Sequence, residues 1–262
     1  MESFNIGRTL SRTFNLIVST LPSVGLFVLL VQIGNVGVQF FTQRLMMGTL
    51  TSTQTSGDPL AALAIFSSGW YWGSIVLSLA LGAFTFTGSL HGLLESSSGK
   101  PTSLADCVSE GLAKLVPMIG LTLLWYLGVV IGWIALIVPG LILMTMWSVA
   151  MPALVGENLG VFASFGRSRE LTRGSRMMIF VTLLVVLVVV YVVAFGVLGA
   201  VLGGSMMGMA SAMTASPLGW LLSIFSGWVF GVLISGLLAS IYLETVTIRD
   251  GGTDGQLSDV FS

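Results

Sequence analysis

Charge along this chain is confined to short segments, and four long stretches between them carry none: Leu21–Gln43, Pro59–Leu94, Leu115–Gly156 and Met177–Leu243. A membrane-crossing helix needs about 20 mostly apolar residues. The first stretch holds one. The second is longer than one crossing requires, which predicts a crossing near Trp70–Leu94 and a surface helix over Pro59–Gly69. Val138-Pro139-Gly140 is a turn signal that divides the third stretch into a tight hairpin. Gly203-Gly204-Ser205 and Ser216-Pro217 divide the fourth into two crossings. The expected fold is all-α and polytopic: six transmembrane helices in three hairpins. They form a single membrane domain over 1–250, followed by a short tail over 251–262.

A short amphipathic segment precedes each hairpin. In Phe4–Phe14, Ile6, Leu10 and Phe14 recur every four residues with Arg8 and Arg12 off that line. In Ser103–Leu112, Leu104, Val108, Leu112 and Leu115 form a helical stripe, with Asp106, Glu110 and Lys114 elsewhere. In Leu159–Leu171, Val161, Phe162, Phe165 and Leu171 oppose Arg167, Arg169 and Glu170. These segments read as helices in the inner headgroup plane, arginines toward anionic lipid, or as ordinary solvated loops. The repeat is architectural. Its residue-level echo is the Gly-Arg pair at Gly7-Arg8 and Gly166-Arg167.

Basic residues fix the expected orientation. Of the ten Lys and Arg residues, all but Arg44 fall on one side of a six-helix topology, which places both termini in the cytoplasm. Apolar residues make up 55% of the 262 and charged residues 8%, with a mean hydropathy of +0.99. A soluble domain carries roughly 25% charge, so lipid must solvate much of this chain. The segment from Leu21 reads as a retained first crossing rather than a cleaved signal. The net charge of −1 gives no case for a nucleic-acid partner.

Small residues recur where helices must approach closely: Gly219, Ser223, Gly227, Gly231, Ser235 and Ala239 in the sixth crossing, and Ser74, Ser78, Gly82, Thr85, Ser89 and Gly92 in the second. Gln32, Asn35 and Gln39 share roughly one face of the first. Amides facing lipid are costly, so they point inward, as interhelical bonds or as the wall of a polar cavity.

Catalytic patterns are absent from the sequence. The crossings hold no carboxylate or lysine at mid-depth, which argues against a proton-coupled path. His91 stands four residues before Glu95 and reads as a polar helix end. No HExxH, GxSxG or phosphate-binding loop occurs. Cys107 is the one cysteine and is expected to be a buried, inert thiol in a reducing compartment. Met206, Met207, Met209 and Met213 supply soft thioethers without a helping histidine, and read as apolar filler before a copper site. No metal and no cofactor are expected.

Charge gathers on the expected cytoplasmic face: Glu157 and Glu244 at the ends of the fourth and sixth crossings, Arg167 and Arg173 between the fourth and fifth, and His91 with Glu95 at the end of the second. An acid at the boundary seeks an arginine. Glu170 can pair locally with Arg167 or Arg173, which leaves an arginine to cross the chain reversal near Asn158-Leu159-Gly160. The expectation is a Glu157–Arg167 bond that docks the third amphipathic helix on the fourth crossing. The cluster then either pins these helices or holds a lipid headgroup.

The run Met151–Asn158, followed by Ser164–Gly174, resembles the membrane domain attached to some bacterial glycerophosphodiester phosphodiesterases and its stand-alone relatives. Glu157, Arg167-Ser168 and Leu171-Thr172-Arg173-Gly174 carry the likeness, which covers the second half of the chain and, less closely, Phe4–Phe14. It implies a six-helix membrane module. The phosphodiesterase domain and its metal-binding carboxylates have no counterpart here. The expected role is non-enzymatic: an integral protein of a bacterial cytoplasmic membrane that organises lipids, partner membrane proteins or copies of itself. The alternative is a transporter or flippase-like protein for a lipid or apolar solute.

Overall fold

The computed structural model describes residues 4–56, 64–202 and 217–251. All regular elements among them are helical, and six are long and apolar enough to cross a membrane. The chain is thus an all-α, multi-pass membrane protein. In chain order the elements are α1 (Ile6–Thr20), a π-helical turn (Leu21–Gly25), α2 (Leu26–Ser56), α3 (Ala64–Ser67) and α4 (Gly69–Ser97). These are followed by α5 (Leu104–Ala113), α6 (Leu115–Ala135), α7 (Ile137–Met146), α8 (Ala150–Gly156), α9 (Val161–Leu171), α10 (Arg176–Leu202) and α11 (Pro217–Asp250). The methionine-rich segment and the tail after 251 lie outside the described residues, as does most of the surface helix expected over Pro59–Gly69, of which α3 is the described part.

Three boundaries differ from the sequence reading. First, the amphipathic segment expected over Phe4–Phe14 runs on as α1 to Thr20 and passes through the π turn into α2. Proline cannot continue an α-helical ladder, and here Pro22 sits inside a π turn that carries the helix through without a break. Second, the reversal in the α6–α7 hairpin falls at Leu136, whose backbone is extended (φ −172°, ψ 154°), and not at Val138-Pro139-Gly140. Pro139 lies in the first turn of α7, where a missing N–H costs nothing. Gly140 is needed for approach, since a Cβ there would strike the Trp133 ring and one on Gly132 would meet the Gly140 backbone. Third, the fourth crossing is two helices, α7 and α8, interrupted at 147–149.

The amphipathic helices are docked on the bundle rather than laid flat beside it. α5 folds back antiparallel along the end of α4: a Cβ on Gly88 would meet the Cys107 carbonyl at 2.5 Å, and one on Gly111 would meet the Phe84 ring at 2.7 Å. α9 folds back on α8 in the same way, with the Ser168 hydroxyl donating to the Met146 carbonyl at 2.8 Å and Leu171 buried with Val149 and Ala153. α1 has no preceding crossing and docks on the last one. Arg8 reaches Glu244, and a Cβ on Gly236 would meet Ile17 and Thr13. Each amphipathic helix therefore seats on the charged end of an even-numbered crossing, and α1 closes the ring.

Aligning the three helices on their N-caps (Asn5, Ser103 and Gly160) exposes a residue-level repeat. The fourth residue after each cap is small and fully buried: Thr9, Cys107, Ser164. The eighth is again small and buried: Thr13, Gly111, Ser168. The first and fifth are apolar: Ile6, Leu104, Val161, then Leu10, Val108, Phe165. Thr9 and Ser164 each donate their hydroxyl to the carbonyl of their own cap residue, at 3.0 and 2.9 Å. That bond lets a polar side chain be buried against the neighbouring helix. The Gly-Arg pairs are out of this register. The arginines that correspond are Arg12 and Arg167, seven residues after their caps, and Glu110 stands at the equivalent place in α5.

Candidate functional site at the charged end

The ends of α4, α8 and α11 converge at Gly156, where a Cβ would lie 3.2 Å from both Leu94 and the Tyr242 hydroxyl. Each of these ends carries a glutamate. Arg167 Nε stands 2.9 Å from both carboxylate oxygens of Glu157, and the Tyr242 hydroxyl donates to Glu157 Oε1 at 3.0 Å. The arginine's outer nitrogen bonds Asp250. Burial works against the charge on Arg167, but its bonds to Asp250 and Glu157 outweigh this and raise its pKa. The sharp reversal that brings α9 back to α8 is made by Asn158, whose φ of +52° is tolerated by asparagine better than by most side chains.

Glu244 is the most deeply placed of the three acids, with 2% of its side chain exposed. Arg8 Nη2 lies 2.7 Å from its Oε1, and Arg12 Nη1 lies 3.9 Å from its Oε2. The sequence puts Glu244 in the cluster without announcing these partners, because 236 residues separate Arg8 from Glu244. The signal was available: Arg12 holds the place in α1 that Arg167 holds in α9.

Glu95 behaves differently. It pairs with Lys100 in the following loop at 2.9 Å. With His91 it lines a cleft of about 220 Å³ whose wall also includes Glu110, Lys114, Asn158 and Tyr242. Tyr242 thus joins the cleft to the Glu157–Arg167 pair. The expected single cluster resolves into three sub-sites, one per docked helix. Arg173 contributes its carbonyl, which accepts from Arg249; its side chain is exposed. The arginines expected to face lipid headgroups are in part turned inward, as Arg8, Arg12 and Arg167 engage carboxylates of the crossings.

α5 begins with a capping box in which Ser103 and Asp106 bond each other's backbone. The Ser103 hydroxyl and amide hold the Asp106 carboxyl below its ordinary value. Cys107, one residue on, is fully buried, and burial pushes its thiol up to about 11.

Comparison with protein-family models, with curated proteins and with solved structures finds no match for this chain. The geometry of the site therefore carries the functional reading.

At the opposite end of the bundle the three amides of α2 do not act together. Gln32 is wedged against Gly227 of α11, an interhelical seam. Asn35 accepts a bond from Gln39 Nε2 at 3.2 Å along the same helix. Gln39 also lines a cleft of about 460 Å³ between α2, α4 and α11 with Gln43, Ser74, Tyr71 and Trp220; Gln32 and Asn35 are not among its lining residues.

Proposed function

We propose that this chain is a non-enzymatic integral protein of a bacterial cytoplasmic membrane, both termini cytoplasmic, that organises lipids or partner membrane proteins through its ring of three docked helices. Kinship with the membrane module it resembles belongs to the same reading. The observation that carries it is the three-sided character of α1. Thr9, Thr13, Leu16 and Thr20 are buried against the bundle. Leu10, Phe14, Val18 and Leu21 form an exposed apolar stripe, and Asn5, Ser11 and Asn15 make an exposed polar arc beside Arg8, whose guanidinium reaches back to Glu244. A helix with one packed, one apolar and one polar side suits a position at the lipid–water boundary of a protein that presents itself to headgroups. The test is lipid mass spectrometry on protein purified in mild detergent. Wild type is expected to retain phospholipid, and the triple variant Leu10→Ser, Phe14→Ser, Val18→Ser to lose most of it at unchanged helicity. Equal lipid retention by the two overturns the reading.

A second reading, passage of a lipid or apolar solute, is favoured by one observation: the open cleft beside Gln39 offers hydroxyls and amides next to aromatic rings at membrane depth. Proteoliposomes loaded with fluorescent lipid test it. Exchange no faster than in protein-free vesicles removes it, whereas fast exchange that Gln39→Leu abolishes supports it.

A further inference from the structure

The repeat is broken at one place, and the break points to a ligand. In α1 and α9 the seventh residue after the cap is an arginine directed at the glutamate ending an even crossing: Arg12 toward Glu244 and Arg167 onto Glu157. In α5 that place is taken by Glu110. Where the other two units set a guanidinium beside an acid, this unit sets a second acid, and both Glu95 and Glu110 line the same cleft.

Unspent acceptors of this cleft gather at its two carboxylates. Lys100 occupies Glu95 Oε2 and Lys114 occupies Glu110 Oε1. Neither carboxylate has a further hydrogen-bond or ion-pair partner among the described residues. Ser97 and Ser98 spend their protons on the Leu94 carbonyl, and Tyr242 spends its proton on Glu157, so all three turn only lone pairs to the cleft. Lys114 gives two of its three protons to Glu110 and to the Val155 carbonyl. The donors left over are the third Lys114 proton, the Asn158 amide and the His91 ring. The chemical complement is a group with several N–H donors for the two carboxylates, which is the inventory of a primary ammonium, joined to an acceptor for the donors left over.

We propose that the cleft between α4, α5 and α8 binds a primary ammonium group, seated between Glu95 and Glu110, and that its source is the ethanolamine headgroup of a membrane phospholipid. This rests on the lipid-organising reading above and names the lipid class for one sub-site. The cleft lies at the end of apolar crossings, at headgroup level. It is smaller than the roughly 300 Å³ at which pockets for drug-sized ligands begin, and a headgroup is a smaller body than such ligands. Lys114 and the His91 ring, which has no hydrogen-bond partner among the described residues, stand on the same wall to meet the phosphate.

The experiment compares two lipids that differ only in the headgroup amine. Full-length protein in detergent is titrated with dioleoyl-phosphatidylethanolamine or dioleoyl-phosphatidylcholine, and bound lipid is counted by native mass spectrometry. The trimethylated amine keeps its charge but has no N–H. Losing one charge-assisted hydrogen bond corresponds to about a tenfold change in affinity, so wild type is expected to prefer the ethanolamine lipid by at least that factor. The variant Glu95→Gln with Glu110→Gln is expected to bind both lipids alike. Melting temperature is read in parallel, and Glu95→Asp with Glu110→Asp is expected to keep the preference if the carboxylates act directly on the amine. Equal binding of the two lipids by wild type, or an undiminished preference in a folded Gln variant, overturns the assignment. Retention of other phospholipids in those cases leaves the broader lipid reading standing. A third arm uses free ethanolamine. Displacement of the lipid by millimolar ethanolamine, with equal thermal protection, assigns the cleft to a soluble amine instead of a headgroup.

Discussion

Glu157 and Arg167 meet through the arginine Nε, which lies 2.9 Å from both carboxylate oxygens, and this pair ties α9 to the end of α8. Both side chains are about one-quarter exposed (27% and 23%), whereas Glu170, 4.0 Å from the same guanidinium, is 74% exposed. Breaking a fully buried pair costs about 3–5 kcal/mol, and an exposed pair contributes about 0–1. Partial exposure places Glu157→Ala between these, at about 1–3 kcal/mol, with Glu170→Ala under 1. Thermal unfolding in detergent reads the difference. Equal melting temperatures for the two variants would remove the docking role of the pair.

Glu244 sets a sharper asymmetry. Its side chain is almost wholly buried, while those of Arg8 and Arg12 are 42% and 35% exposed. Glu244→Gln leaves two arginines that can turn to water. Arg8→Ala with Arg12→Ala instead strands a buried carboxylate, a loss of about 3–5 kcal/mol. The double arginine variant is therefore expected to unfold at lower temperature than Glu244→Gln, and the reverse order would show that the acid is not held by these two residues.

Two glycines of α4 separate close packing from helix propensity. A Cβ on Gly88 would stand 2.5 Å from the Cys107 carbonyl and from Phe27, whereas nothing lies within 4 Å of one on Gly82. A backbone carbonyl cannot swing aside, so Gly88→Ala should destabilise by about 1–3 kcal/mol. Gly82→Ala should be neutral or stabilise by up to about 1 kcal/mol, since alanine is the better helix former. Similar melting points for the two would mean that α5 is not seated on α4 as described.

The fully buried thiol of Cys107 should be silent to maleimide in the folded protein at pH 8 and react on unfolding. Its raised pKa stabilises the fold fully below the ordinary thiol value, and that contribution is lost as pH rises through about 11. This silence makes the natural chain a background for topology mapping. Single cysteines at Thr51 and Met209 are expected to label from outside intact cells, and those at Ser98 and Asp254 only after permeabilisation. Labelling at Asp254 from outside would invert the proposed orientation.

Sequence alone determined the solvent. Long uncharged runs can be stable only in lipid, and their lengths give six crossings whatever the tertiary arrangement, because helix formation in lipid satisfies the backbone locally. The Glu157–Arg167 pair was legible for the same local reason, as ten residues and one chain reversal separate the partners. Tertiary structure alone decided how the ring closes. α1 seats on α11 from the far end of the chain, so no spacing announces Arg8 and Arg12 as partners of Glu244. The π turn at Pro22 and the reversal at Leu136 depend on packing against Trp228 and Gly140, contacts that propensity does not encode. The threefold repeat lay in the sequence, but its register did not. Small residues are common throughout a membrane protein, and only burial singles out Thr9, Cys107 and Ser164 as equivalent. That register turns Glu110 from one more surface acid into the place where an arginine is missing.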